Sequence, residues 1–99
     1  MRKIRISEDA LADLDDGFWF YELQESGFGD SFANTLRSDI EGLRITAGIH
    51  RRDYRDYHRV LSRLFPYATY YTSSDDEVMV WAVIDCRRDP EWIRSRLDK

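Results

Sequence analysis

The hydrophobic period of the chain changes once, close to Gly48. Upstream of it, apolar residues recur every three or four positions, first Leu11, Leu14, Phe18 and Tyr21, then Phe32, Leu36, Ile40 and Leu43. Such spacing keeps one stripe of a helix apolar. Downstream, "HRVLSRLF" alternates, "YATYYT" is β-prone, and "VMVWAVI" is a nearly continuous apolar run bounded by charges. A run of that kind suits a strand in the middle of a sheet. Helices first and strands afterwards indicate an α+β chain, with a helical hairpin packed on one face of an antiparallel sheet.

Local signals place the ends of these elements. "KIRI" predicts a first strand at residues 3–6, and Ser7 an N-cap, with Glu8 and Asp9 in the positive first turn. Asp13, Asp15 and Asp16 fall away from the apolar stripe. Gly27 and Gly29 break the first helix, Asp30 or Ser31 caps the second, and Gly48 suits the position just past its end. Pro66 marks a strand start or a bend. "SSDDE" is a tight polar turn, and Asp89-Pro90 opens a short terminal helix. The expected order is β-α-α-β-β-β with a short C-terminal helix, in one domain spanning residues 1–99.

Composition narrows the function. With 42% hydrophobic and 34% charged residues the chain reads as globular. No apolar run reaches the length of a membrane span, and "MRKIRISEDALADL" lacks the apolar core of a secretory leader. One cysteine, Cys86, forms no internal disulfide and fits a cytoplasmic location. Cys86, His50 and His58 lack metal-ligand spacing, so no metal or cofactor is expected. The net charge of −4 opposes non-specific binding of nucleic acid. Residues 1–49 hold 5 basic and 10 acidic side chains, whereas residues 50–99 hold 10 and 9. Arg51, Arg52, Arg55, Arg59 and Arg63 against Asp53 and Asp56 make either a basic face or a set of local ion pairs.

The stretches "ISEDALADLDD", "FYELQESGFGDSF", "YRDYHRVLSRLFPYATYY" and "DEVMVWAVIDCRRDPEWIRSRL", in this order, resemble the RelE/ParE superfamily of toxins from type II toxin–antitoxin modules. They are most similar to the ParE-like branch, known as plasmid stabilisation proteins. The resemblance implies the α+β fold above and a cognate antitoxin that wraps and silences the toxin, as a homodimer or a heterotetramer with it. In the ParE-like branch it implies binding and inhibition of DNA gyrase. In the RelE-like branch it implies metal-independent cleavage of messenger RNA on the ribosome, by cationic side chains aided by a proton-transferring Tyr, His or Glu. A third reading is a toxin fold that has lost toxicity and only binds a partner.

The residues at the matching positions favour binding over catalysis. Pro66 stands where nucleolytic relatives carry an arginine, and Asp85 and Cys86 stand where many ParE-like relatives carry His and Gly. Asp85 repels phosphate unless it is paired. For target binding the candidates are Arg59, Arg63, Arg87 and Arg88, with the terminal "WIRSRLDK" beside them. Arg59 and Arg63, four apart on the expected strand, share a face with Leu61 between them. Were the chain a nuclease, Arg63, Tyr70 and His58 would be the catalytic candidates. The plainer expectations are that Tyr67, Tyr70 and Tyr71 are sheet residues with hydroxyls at the rim. Likewise Trp81 is expected in the core, Trp92 pins the terminal helix, and Cys86 is inert.

Overall fold

A computed structural model describes all residues, 1–99. Strand β1 (Lys3–Ile6) leads into helix α1 (Glu8–Glu22), which returns through α2 (Phe28–Glu41) and a single turn, α3 (Leu43–Thr46). Four strands follow, β2 (Arg52–Tyr54), β3 (Tyr57–Leu61), β4 (Tyr67–Ser73) and β5 (Glu77–Asp85), and then α4 (Pro90–Leu97). The five-stranded sheet has the order β1-β5-β4-β3-β2. The α1–α2 hairpin covers one face and α4 lies on the other.

Three features depart from the sequence expectation. The sheet is not wholly antiparallel: β1 runs parallel to β5, with Ile4 opposite Val78 and Ile6 opposite Val80. A short strand, β2, adds an edge that three exposed or half-exposed residues gave no apolar signal for. The strand expected through Arg63 stops at Leu61, because Ser62 turns and donates its N–H to the Tyr67 carbonyl (2.8 Å). Arg63 therefore lies in the β3–β4 loop and shares no strand face with Arg59.

The helix ends are set by specific groups. Ser7 Oγ accepts the Ala10 N–H at 3.0 Å, and the Asp89 carboxylate accepts the Glu91 N–H at 3.0 Å. Helix α2 starts earlier than Asp30 or Ser31 would allow. Its N-cap is Gly27, at φ 90°, a left-handed conformation that favours glycine. A glycine has no capping side chain, so the Glu22 carboxylate from the end of α1 accepts the N–H groups of Gly27 and Gly29 at 3.0–3.2 Å. Gly48, at φ 95°, ends the second helical segment as expected.

The buried stripe of α1 is Ala10, Leu14, Gly17 and Tyr21, rotated from the expected one, with Leu11 exposed. Small residues lie in that stripe because α2 comes close: a Cβ on Gly17 would overlap the ring of Phe32. The stripe of α2 is as expected, with Phe32, Leu36 and Ile40 buried and Leu43 continuing it. Tyr21 meets Phe28, Phe32 and Phe65 at ring separations of 4.9–5.3 Å, and Phe32 meets Tyr67 at 4.8 Å. This aromatic cluster joins the hairpin to β4.

A bulge explains the apolar run in β5. Tyr71 is opposite Val80 and Tyr70 is opposite Ala82, leaving Trp81 as the extra residue. The alternation shifts phase there. Val78, Val80 and Val83 face the hairpin, while Ala82 and Ile84 face α4. Trp81 is not core: it is 40% exposed and donates its indole N–H to Thr72 Oγ1 at 2.9 Å. Nor does Trp92 hold the terminal helix, since it too is exposed. Leu97 and Ile93 pack on the sheet, and the Tyr57 hydroxyl donates to the Leu97 carbonyl at 2.9 Å. The tyrosines lie deeper than expected, with Tyr70 2% and Tyr71 0% exposed.

Replacing Gly17 by alanine should destabilise the protein by about 1–3 kcal/mol, the usual range for overpacking a core. Urea unfolding checks this, and an unchanged midpoint would show that the hairpin can open to admit a methyl group.

Candidate functional site

The C-terminal end of β5 and the start of α4 bring charge and aromatic surface together. Arg87 follows the strand and folds back on Asp85, with Nε and Nη2 donating to the two carboxylate oxygens at 3.0 and 2.7 Å. The Arg87 N–H donates to the same carboxylate at 2.9 Å. The guanidinium holds the Asp85 carboxyl below its ordinary range, against the opposing effect of burial. In return, the Arg87 pKa is raised by Asp85. The Asp85 carboxylate is thus neutralised by a side chain two residues away. Arg88 takes a different partner, its guanidinium lying 4.1 Å from the centroid of the Trp92 ring.

Between α1, the end of β5 and α4 runs a cleft of about 400 Å³. Asp13, Asp16 and Phe20 of α1 line one wall, and Arg88, Trp92 and Arg96 line the other. Asp13 and Arg96 close its floor through two hydrogen bonds, at 2.8 and 2.7 Å, both side chains being largely buried. Asp13 Oδ2 also accepts the Val83 N–H at 2.9 Å. The sequence places Asp13 off the apolar stripe and Arg96 within the terminal "WIRSRLDK", with no sign that they meet. Their separation in the chain leaves no local pattern from which the pair could be read.

Arg59 occupies the sheet face that carries α4. It stands opposite Tyr70 on β4, and its Nε lies 3.8 Å from Asp53 Oδ1. Burial pushes the Tyr70 phenol up, opposed by the adjacent Arg59. Burial also raises the Cys86 thiol, with Arg59 and Arg87 both acting in the other direction. The protonated, half-buried thiol fits the inert reading. Tyr67 is pushed up to about 12, by burial first and then by Tyr21 and Asp85. Arg63 points elsewhere, towards Asp39 of α2 at 3.9 Å, and is largely exposed.

His58 is committed to the opposite face. Its ring stacks on Tyr71 at 5.1 Å, and its Nδ1 lies 2.7 Å from the His50 carbonyl oxygen. Tyr71 Oη accepts the Gly48 N–H at 3.1 Å and lies 2.6 Å from His50 Nδ1, to which it donates when neutral His50 carries its proton on Nε2. Arg63, Tyr70 and His58 are thus placed in a loop, in the interior of one sheet face and on the other face.

With the geometry in view, comparison with known proteins decides the family. The family described as "ParE toxin of type II toxin-antitoxin system, parDE" matches residues 4–90. The chain belongs to the ParE toxin family. Among solved structures it is similar to "Chromosomal ParDE TA system from P. aeruginosa", at 13% identity and a TM-score of 0.78, over 86% of this chain and 96% of that one. No curated protein matches it. At so low an identity the likeness lies in the fold, and the ParE fold is the β-α-α-β architecture seen here, with its hairpin over a mostly antiparallel sheet.

Two outcomes follow. Asp13→Ala leaves Arg96 and the Val83 N–H without a partner and should cost about 2–3 kcal/mol, below the range for a fully buried pair because some solvent reaches this one. Urea unfolding measures the loss, and a cost under about 0.5 kcal/mol, typical of surface sites, would mean water replaces the carboxylate. His50 gives a pH dependence. Its pKa is lowered, by burial first and then by His58. A lowered folded value gives stability that is present above about 6.5, where the unfolded side chain titrates, and is lost as the pH falls through the folded value. The urea midpoint should fall between neutral pH and the folded pKa, with a shallower fall in His50→Leu; equal slopes would remove His50 from the account.

Proposed function

We propose that this ParE family member is a single toxin domain, residues 1–99, that acts in the cytoplasm by binding a protein target and is held silent by a cognate antitoxin. DNA gyrase is the target to which the resemblance of the sequence points. The observation that carries this reading is the dispersal of the proton-transfer groups. Metal-independent RNA cleavage needs cationic and acid–base side chains within hydrogen-bond reach of one phosphate. Here Tyr70 is buried, His58 stacks on Tyr71 on the opposite face, and Arg63 sits in an exposed loop. Binding requires only an accessible, charged surface. Arg87 and Arg88 supply one at the end of β5, with Arg59 beside Asp53 on the sheet face that carries α4 and Arg63 in the β3–β4 loop.

Supercoiling by purified gyrase, titrated with this protein and then with its antitoxin, tests the proposal. Inhibition that the antitoxin reverses is expected, weakened about tenfold or more when Arg59 and Arg88 are both changed to glutamate, as for truncated interface anchors. Undisturbed supercoiling, together with codon-positioned cuts in messenger RNA that vanish in Arg63→Ala, would replace this reading with the ribonuclease one. Undisturbed supercoiling and intact transcripts would leave a toxin fold that only binds.

A further inference from the structure

Helix α1 has a second apolar surface that is largely exposed, its Phe20 edge lining the cleft across from Arg88 and Trp92. Its core stripe is Ala10, Leu14, Gly17 and Tyr21. A helix that buries one stripe ordinarily carries polar residues on the other side. Here the outward side carries Asp15 and Asp16, then Trp19, Phe20 and Leu23 over the last turn. Trp19 is 52%, Phe20 50% and Leu23 82% exposed. Clustered exposed aromatic and aliphatic side chains mark docking surfaces, and tryptophan is prominent among the residues that anchor them.

The charge around the patch states the chemistry of its partner. Residues 8–36 contain eight acidic side chains and no basic one. Some are already used: Asp13 holds Arg96, and Glu22 caps α2. Asp15, Asp16, Glu25 and Asp30 form no ion pair. Their unbalanced charge repels nucleic acid and anionic membranes, which are held by Lys and Arg. It attracts a basic polypeptide, and complementary charge of this kind orients and speeds docking.

We propose that the outward face of α1, from Asp15 to Glu25, docks a basic segment of a partner protein. Apolar side chains of that segment pack on Trp19, Phe20 and Leu23, and its Lys or Arg residues meet the acidic rim. The Asp16 and Phe20 edge of this face lies across the cleft from Arg88 and Arg96, so the basic segment is seated from the Asp15, Trp19 and Leu23 side. This docking is independent of the toxin reading, because it rests only on the helix and its charges.

The probe is a helical peptide of leucine and lysine, compared with a twin carrying glutamate for lysine, titrated into the labelled full chain and followed by amide NMR. The lysine peptide should shift the amides of residues 15–25. Its affinity should fall about tenfold or more in Trp19→Ser with Leu23→Ser, as for loss of interface anchors. Asp15→Asn with Asp16→Asn should weaken binding and flatten its salt dependence. Exposed positions should leave thermal unfolding unchanged. Should the serine variant melt early, the asparagine pair, which alters no packing, carries the test. Equal binding of the glutamate twin, shifts confined to other residues, no binding of either peptide, or unaffected variants would each overturn the proposal. So would sedimentation showing self-association that Trp19→Ser with Leu23→Ser abolishes, since that assigns the face to a second copy of the chain.

Discussion

One carboxylate holds the layers of this protein in register. Asp13 projects from α1, on one face of the sheet, past the end of β1, where β5 loses its neighbouring strand. It accepts the Val83 N–H that no strand pairs with, and both terminal nitrogens of Arg96 from α4 on the far face. A buried donor without a partner and a buried cation without a counterion are both costly. Asp13 resolves the two together, and only when α1, β5 and α4 are in place.

The fold was legible in the sequence wherever a signal is local. The stripe of α2, the Ser7 and Asp89 caps and the turn at residues 74–76 follow from neighbours within a few positions. Longer-range features were not. Nothing in "KIRI" distinguishes a parallel partner from an antiparallel one. In "VMVWAVI" both faces are apolar, so a one-residue bulge leaves the pattern unchanged, and Trp81 could not be placed from it. The rule that residues four apart share a face failed for Arg59 and Arg63, because it assumes a strand that continues through Ser62. The candidate site was legible in residue type but not in arrangement. Asp85 could be seen to need a partner, and only the backbone turn after β5 shows that Arg87 is that partner. Asp13 and Arg96 gave no signal, being far apart in the chain.

Charge is segregated within this small chain. The hairpin is acidic as far as Leu36, while arginines dominate β2 to β3 and the start of α4. Much of the arginine charge is tempered by carboxylates, as with Asp53 for Arg59 and Asp85 for Arg87, so the surface near β5 is not a bare cationic patch. Tempered cations suit a site that distinguishes among protein surfaces better than one that holds any polyanion. Arg88, stacked on an exposed indole rather than paired with an acid, is the member of the set freest to take an external anion.

The pairing of β1 with β5 joins residues 3–6 to residues 77–80, far apart in the chain. A chain emerging from the ribosome presents residues 3–6 long before residues 77–80 exist to receive them. The hairpin cannot shelter its aromatic stripe in the meantime, since the surface it packs on is made of β4 and β5. Contacts so distant in sequence also form slowly. No fragment that ends before β5 can therefore assemble the sheet, and the Asp85–Arg87 pair exists only once translation has passed β5. An interrupted or truncated product of this fold therefore lacks the surface that the assembled sheet presents.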